Sequence, residues 1–479
     1  MHRSTSKQRQ LIRRIMVYAL MVLVISGLVT ALVLLMLGYR FDRDHNSVQQ
    51  GGLVQFISRP NNAKIVIGKA KLASTTPTKI TINPGQYSTT ISKTGYRTWS
   101  KTVDVLAGHV LWLNYAQLVP NTITTKPVLN IGETDGVVPS VDGKKLAFFT
   151  KNQPFVLSET NIDTKSPKIT KVALPKDLIP ASVKVAPTIR YWSKDSDTML
   201  ASINSGKETQ WLYIDTNSPD KSANISKTYD LKVKTARFDP RSNTQIIVHT
   251  SDGDIRTLDM QSRSLSAVLA TEVRSFSFFE DKLLLYVYTN EAGKRVAGYL
   301  NLGETKGRDL PMAADDVELL TGGKYFDTSY ITLASKQLMR LYRLDNLPNS
   351  NSTNAISSTL MFSTPITEAP IYASMHNNGR FVVLQSSSAF SVYDIELARY
   401  TATKLGTVQS GELRWLDGYH LYYSGKDTLN VVEFDGANGY QVGPANGWVG
   451  SLLNDGKYLY STLKTDAGYS VQRSQMIID

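Results

Sequence analysis

One pattern constrains this chain more than any other: from about residue 121 onward, a tight turn followed by an apolar strand recurs eight times. It reads DGKKLAFF at 142–149, DSDTMLASI at 195–203, PRSNTQIIVH at 240–249 and EDKLLLYVY at 280–288. It continues as GGKYFDTSY at 322–330, NGRFVVLQS at 378–386, DGYHLYYS at 417–424 and DGKYLYST at 455–462. A second strand follows each time, as in WLYID at 211–215 or FSVYDI at 390–395. Turn-to-turn steps are about 40–45 residues, with two near 54 that carry polar inserts such as NLPNSNSTNAISST at 346–359. A repeat of that period built only of strands predicts a β-propeller of four-stranded blades. Eight units fill the length, and seven remain if one unit is not independent. The last unit runs out of chain before an outer strand, so TITTKPVLNI at 122–131 is the expected closing strand. Pro127 restricts that strand to an edge.

Ser140-Val141-Asp142-Gly143-Lys144-Lys145-Leu146-Ala147-Phe148 carries the turn-and-strand pattern most fully. These units resemble the degenerate repeats of the Tol-system periplasmic propeller and other exported propellers. The resemblance implies architecture and leaves function open.

Upstream, residues 53–118 read as a small β unit. LVQFIS, AKIVIG, QYSTTISKTGY, RTWSKTVDVLAG and VLWLNYAQL are strand-like, and no helical period interrupts them. Pro60-Asn61-Asn62-Ala63, Thr76-Pro77, Pro84-Gly85-Gln86-Tyr87 and Gly95-Tyr96 occur in an order that resembles the PEGA domain, a small β-sandwich of exported bacterial and archaeal surface proteins. Asn61 and Asn62 stand where that family has Glu and Gly, and Gly68-Lys69 stands where a hairpin Asp-Gly is usual. The resemblance implies association with surface or wall structures.

Residues 15–38 contain 24 positions without a charge, ~36 Å as a helix, which is enough for a ~30 Å hydrocarbon core. No small-residue cleavage site follows, so the run is expected to be an uncleaved anchor rather than a signal peptide. Arg3, Lys7, Arg9, Arg13 and Arg14 precede it with no acid. The positive-inside rule then makes 1–14 a cytoplasmic tail, places the bulk of the chain outside the plasma membrane, and makes it a single-pass integral protein. Residues 39–52, polar and ending in Gly51-Gly52, are expected to be a flexible spacer holding the next domain ~20 Å from the bilayer. The expected order is therefore tail 1–14, transmembrane helix 15–38, spacer 39–52, PEGA-like sandwich 53–118 and propeller 121–479, all-β beyond the anchor.

The chain holds 53 Lys+Arg against 41 Asp+Glu and no cysteine. With five basic residues before the span, 48 remain outside against 41 acids, a scattered +7. That balance argues against a nucleic-acid groove and fits weak attraction to anionic wall polymers or head groups. Without cysteine there is no thiolate chemistry, disulfide framework or cysteine-ligated metal. His2, His45, His109, His249, His376 and His420 form no metal-spaced pair, and no nucleophile elbow or nucleotide loop occurs. Asp315, Asp316 and Glu318 read as a solvated loop, and Asp195–Asp197 and Asp252–Asp254 as turns.

No catalytic residue, metal site or cofactor is therefore expected. Aromatic residues remain as ligand-binding candidates: Tyr96, Trp99 and Trp112 in the small domain, against the alternative that they form its core. Trp415, Tyr419, Tyr422 and Tyr423 are explained by packing between blades. The expected function is a membrane-anchored, non-enzymatic binding or scaffold protein of the cell envelope, with the propeller presented to an envelope protein or a cell-wall glycan. The alternatives are a propeller enzyme acting on envelope polysaccharide, and an accessory factor in export or envelope assembly. Two carboxylates converging ~5–9 Å apart in a cleft would mark the enzyme.

Overall fold

The structure is a computed structural model, and it describes residues 4–42, 47–152, 155–164, 166–204, 206, 208–312, 316–347, 356–376, 378–405, 413–425, 427–446, 449–453 and 456–478. The chain forms two compact units. One comprises Met1–Thr122 together with Ile477–Asp479, and the other Ile123–Met476. The last three residues thus leave the propeller unit, in contrast to a boundary drawn at 121–479. The reason is local: the Ile478 N–H donates to Tyr96 Oη at 2.6 Å, which fixes the tail on the small unit.

The first unit begins with the helix Ser4–Met36. Its stretch Arg9–Met36 is long and apolar enough to cross a membrane. Gly38, at φ +82°, terminates it in the left-handed conformation that glycine accepts without strain. The expected spacer is not a coil. Tyr39–Asp42 pairs antiparallel with Ser47–Gln50, and the turn between them lies outside the described residues. Phe41 opposite Val48 is a favourable cross-strand pair, a signal that the surrounding polar residues conceal in the sequence. The hairpin is tied at its base, where the Gly51 N–H donates to the Gly38 carbonyl at 2.9 Å and Gln50 Nε2 to the Leu37 carbonyl at 2.9 Å. Arg40 Nη1 donates to the Thr81 carbonyl at 2.6 Å.

Two sheets follow. One has three strands, Thr78–Ile82, Gly52–Arg59 and Val110–Gln117, the last pair parallel. The other orders Ala70–Lys71, Lys64–Ile67, Gly85–Ser92 and Trp99–Val105. Alternate residues of Gly52–Arg59 are buried, which is the period-two signature of a strand with one wet face. Val54, Phe56, Ile65, Ile91, Trp99 and Leu113 meet in the core between the sheets. Two departures from the family pattern prove conservative. Asn62 adopts φ +62°, which asparagine tolerates, where a glycine would be usual. Gly68, at φ +56°, takes the first position of a two-residue hairpin between Ile67 and Ala70, so the hairpin survives without Asp-Gly.

The second unit contains, among the described residues, eight four-stranded antiparallel sheets. In seven the strands are consecutive in the chain. In the eighth, Val449–Leu453, Tyr458–Thr465 and Gly468–Gln475 are completed by Thr125–Gly132, paired antiparallel to Gly468–Gln475. Pro127 sits in this edge strand beside a register shift, where its missing N–H costs no ladder bond. First strands of several neighbouring sheets contact one another, as Val273–Phe279 does Leu319–Tyr325. Second strands are the most deeply buried, Phe381–Gln385 completely so, whereas fourth strands such as Arg399–Lys404 lie largely in solvent.

Turns between first and second strands repeat one device: a side chain accepts an N–H from two residues on. Asp239 Oδ1 accepts from Arg241 N at 2.9 Å, His376 Nδ1 from Asn378 N at 3.1 Å, and Asp417 Oδ1 from Tyr419 N at 2.8 Å. These turns also stitch sheet to sheet, since Ser196 Oγ accepts from Val141 N at 3.2 Å. One unit is phased differently from the sequence pattern. Gly322 and Gly323 lie inside the strand Leu319–Tyr325, and the turn falls at Phe326–Asp327. The two glycines allow close approach: a Cβ on Gly322 would lie 2.6 Å from the Phe279 ring, and one on Gly323 2.8 Å from Met375 Sδ. Within the same region Arg380 makes a buried fork to Asp394, at 3.0 and 2.7 Å, and also pairs with Glu396.

Candidate functional site: a cleft on the first strands

Four first strands, Val233–Phe238, Val273–Phe279, Leu319–Tyr325 and Tyr372–Met375, border a cleft of about 720 Å³. A cavity of that size accepts a small ligand or a short segment of polymer. Arg237 and Lys324 contribute positive charge and Glu280 the one opposing carboxylate. The Arg237 guanidinium lies 4.9 Å from the Tyr191 ring centroid and 6.0 Å from that of Phe276, which holds the charge in place by cation–π attraction. Lys324 has a long contact with Asp327, 3.7 Å. Phe276 packs edge-on against Phe278, and Ser277 Oγ donates to the Leu320 carbonyl at 2.9 Å. The buried Ser374 hydroxyl, also on the lining, makes no protein hydrogen bond. Cation, aromatic face and hydroxyl together suit an anionic or hydroxyl-rich ligand.

Two histidines flank this region, and burial lowers the pKa of each. His249 hydrogen-bonds the Val273 carbonyl at 2.8 Å and stacks edge-on with Phe276, with Lys234 adding a small push in the same direction. His376 packs edge-on against Trp415, while Asn378 and Asp417 partly offset its burial. A histidine held neutral by the fold penalises folding once the unfolded chain takes up a proton, near pH 6.5. Above that pH neither state is charged, and the penalty is absent. As pH falls through ~6.5 stability should drop, and the loss levels off only below the folded-state pKa values. Urea melts at pH 7.5 and 5.5 should show this fall, and the pair His249→Gln with His376→Asn should reduce it. An unchanged pH difference in that variant would assign the fall to other groups.

The aromatic candidates of the small unit separate cleanly. Trp99 is 1% exposed and packs edge-on against Tyr115, so it has no ring face to offer a ligand. Tyr96 is also buried, with its hydroxyl engaged by Ile478. Trp112, in the strand Val110–Gln117, is 44% exposed and keeps an open ring. The structure does not bring the three together as a site.

In the second unit, Asp315 lies outside the described residues. Asp316 and Glu318 both pair with Arg295, at 3.9 and 2.7 Å. Asp195–Asp197 and Asp252–Asp254 occupy turns, with Ser196 and Gly253 at positive φ between them. Trp415 and Tyr419 pack on Phe381, at 5.9 and 5.8 Å between centroids, as packing between sheets requires. His2 and His45 lie outside the described residues, and among those described no three His, Asp or Glu side chains are grouped to hold a metal. Arg237 and Lys324 escaped the sequence reading because single basic residues on strands carry no motif. Only the ring of first strands brings them to one cleft.

The small unit can now be assigned. Its sheets, its Asn62 and Gly68 turns and its buried Trp99 coincide with the match of residues 52–120 to the family model for the PEGA domain. Residues 52–120 are a PEGA domain. After the PEGA domain comes the propeller-like unit, which is similar in solved structures to the C-terminal WD40 domain of Sif2. That match is 14% identical, covers 74% of this chain and 99% of that one, and has a TM-score of 0.47. The Dos1 propeller is 13% identical over 75% of this chain and 95% of its own, with a TM-score of 0.46. Oligogalacturonate lyase in complex with manganese is 10% identical over 73% and 99%, with a TM-score of 0.40. At such identities no activity or ligand passes to this chain, and its all-β architecture is read from its own sheets. No curated protein matches the sequence.

Proposed function

We propose that this is a membrane-anchored binding or scaffold protein of the cell envelope, with its N-terminus in the cytoplasm and its propeller presenting the cleft to an envelope protein or a cell-wall glycan. The observation that carries the reading is the cleft itself, where Arg237 is pinned between two aromatic rings beside Lys324. Such preorganisation lowers the ordering cost of binding an anionic or hydroxyl-rich group. The span-length helix Arg9–Met36, preceded by basic residues, supplies the anchor and the orientation.

The test uses the full-length chain in detergent as bait for solubilised native membranes and for wall fragments. Arg237→Glu combined with Lys324→Glu should abolish capture of the species retained by the wild type, with the thermal melt unchanged. Retention of the same species by the variant would overturn the cleft as the binding surface. Protease added to wall-stripped cells should digest the propeller, and protection until lysis would overturn the orientation.

A further inference from the structure

We infer that the end of the PEGA domain nearest the helix is a lipid-contacting surface, seated in the head-group layer of the bilayer that the helix spans. The inference rests on the anchor reading above and deepens it. A ladder of backbone hydrogen bonds links the helix end to the domain. The Gly51 N–H donates to Gly38 at 2.9 Å, and the Gly108 N–H donates to Gly51 at 3.0 Å. Gly38 lies two residues beyond the helix, and each such step spans roughly 5 Å. The loop carrying Gly108 is therefore about 10 Å from the chain that leaves the helix. The head-group layer is itself ~5–8 Å thick on each side of the hydrocarbon. The loop is thus within about 10 Å of the point where the chain leaves a bilayer that holds the helix to its end at Met36, close enough for its side chains to reach the head groups.

The residues placed there are those a lipid surface would take. Phe41 and Val48, facing each other across the hairpin, are each 60% exposed, and Leu106 in the loop is 56% exposed. Val110 and Trp112 point to the open face of the three-stranded sheet, level with Leu53 and Gln55. Lys79, exposed, pairs with Gln55 from the other side, so a basic residue lies on the same rung as the tryptophan, two strand spacings (~10 Å) away across Gln55. An apolar strip with tryptophan and lysine at its border is the composition of interfacial anchors, where rings sit among head groups and lysine meets anionic lipid. In water, these apolar side chains would stay exposed around one hydrogen-bonded base.

The absence of cysteine makes the test direct. Single cysteines at Leu28, Val48, Leu106 and Asn61 would carry an environment-sensitive fluorophore on the full chain in phosphatidylcholine–phosphatidylglycerol vesicles. Asn61 is exposed just beyond the far end of the strand Gly52–Arg59, ~23 Å along from Gly52. Nitroxide lipids labelled at the head group should quench positions 48 and 106 by roughly twofold or more and leave 61 unquenched, while deep nitroxides quench 28. Deep quenching at 28 with 48 and 106 behaving like 61 would overturn the docking and keep the anchor. A label at 28 that no lipid quencher reaches would overturn the anchor, and the docking with it.

Discussion

Alanine at Trp99 should unfold the PEGA domain while the propeller stays folded. The indole is 1% exposed in a core shared with Val54, Phe56, Ile91 and Leu113. Removing a buried tryptophan costs about 3–5 kcal/mol, the lost transfer energy plus the cavity left behind. Domains are stable by only ~5–15 kcal/mol, and a unit this small sits toward the bottom of that range. Hydrogen exchange on the full chain should show peptides within 52–120 losing protection while those in 125–475 keep theirs. Trp112→Ala, at an exposed position, should change stability by no more than about 0.5 kcal/mol. Wild-type protection in the Trp99 variant would mean that the indole is not part of the packing that holds the two sheets together.

What could be read from the sequence follows burial. Second strands such as Leu283–Thr289 are apolar on both faces and stand out as runs. Third strands such as Thr209–Asp215 are nearly as buried and were equally visible. Fourth strands were not, because strands such as Arg399–Lys404 face water and read as polar loop. The unit at 322–330 was misphased for a related reason. Gly-Gly has two physical uses, a tight turn or a close approach of backbones, and spacing alone does not separate them. Here the neighbours Phe279 and Met375, 43 and 52 residues away, decide for close approach.

The hairpin after the helix was hidden because its only apolar pair is Phe41 with Val48, on strands of four residues each. The boundary at the C-terminus was hidden too, since the hydrogen bonds between Ile478 and Tyr96 join residues 382 apart. Of the aromatic candidates, sequence identified the residues but not which of them faced inward. The cleft depends on four strands spread from Val233 to Met375, and no local pattern announces it.

Valine at Gly468 should open the closing sheet of the propeller-like unit. This glycine starts the strand that receives Thr125–Gly132, so it stands where the two ends of the unit meet. A Cβ there would lie 2.3 Å from the carbonyl carbon of Gly132, and the backbone is at φ +103°. The strand Thr125–Gly132 must therefore move away. Its departure would strip Ile131 from Val471 and Tyr469 and expose a row of unpaired N–H and C=O groups on Gly468–Gln475. Thr125 Oγ1, 2.8 Å from Ser474 Oγ, would lose its partner as well.

Gly293→Val is the matched control, because Gly293 has φ +75° but nothing within 4 Å of an added Cβ. It should cost only the backbone strain, about 1–3 kcal/mol. Gly468→Val should exceed ~4 kcal/mol, lowering the propeller transition by roughly 5 °C or more, and the full chain should self-associate through the freed edge. If the two valine variants melt together and both stay monomeric, the pairing of Thr125–Gly132 with Gly468–Gln475 does not hold the ring closed.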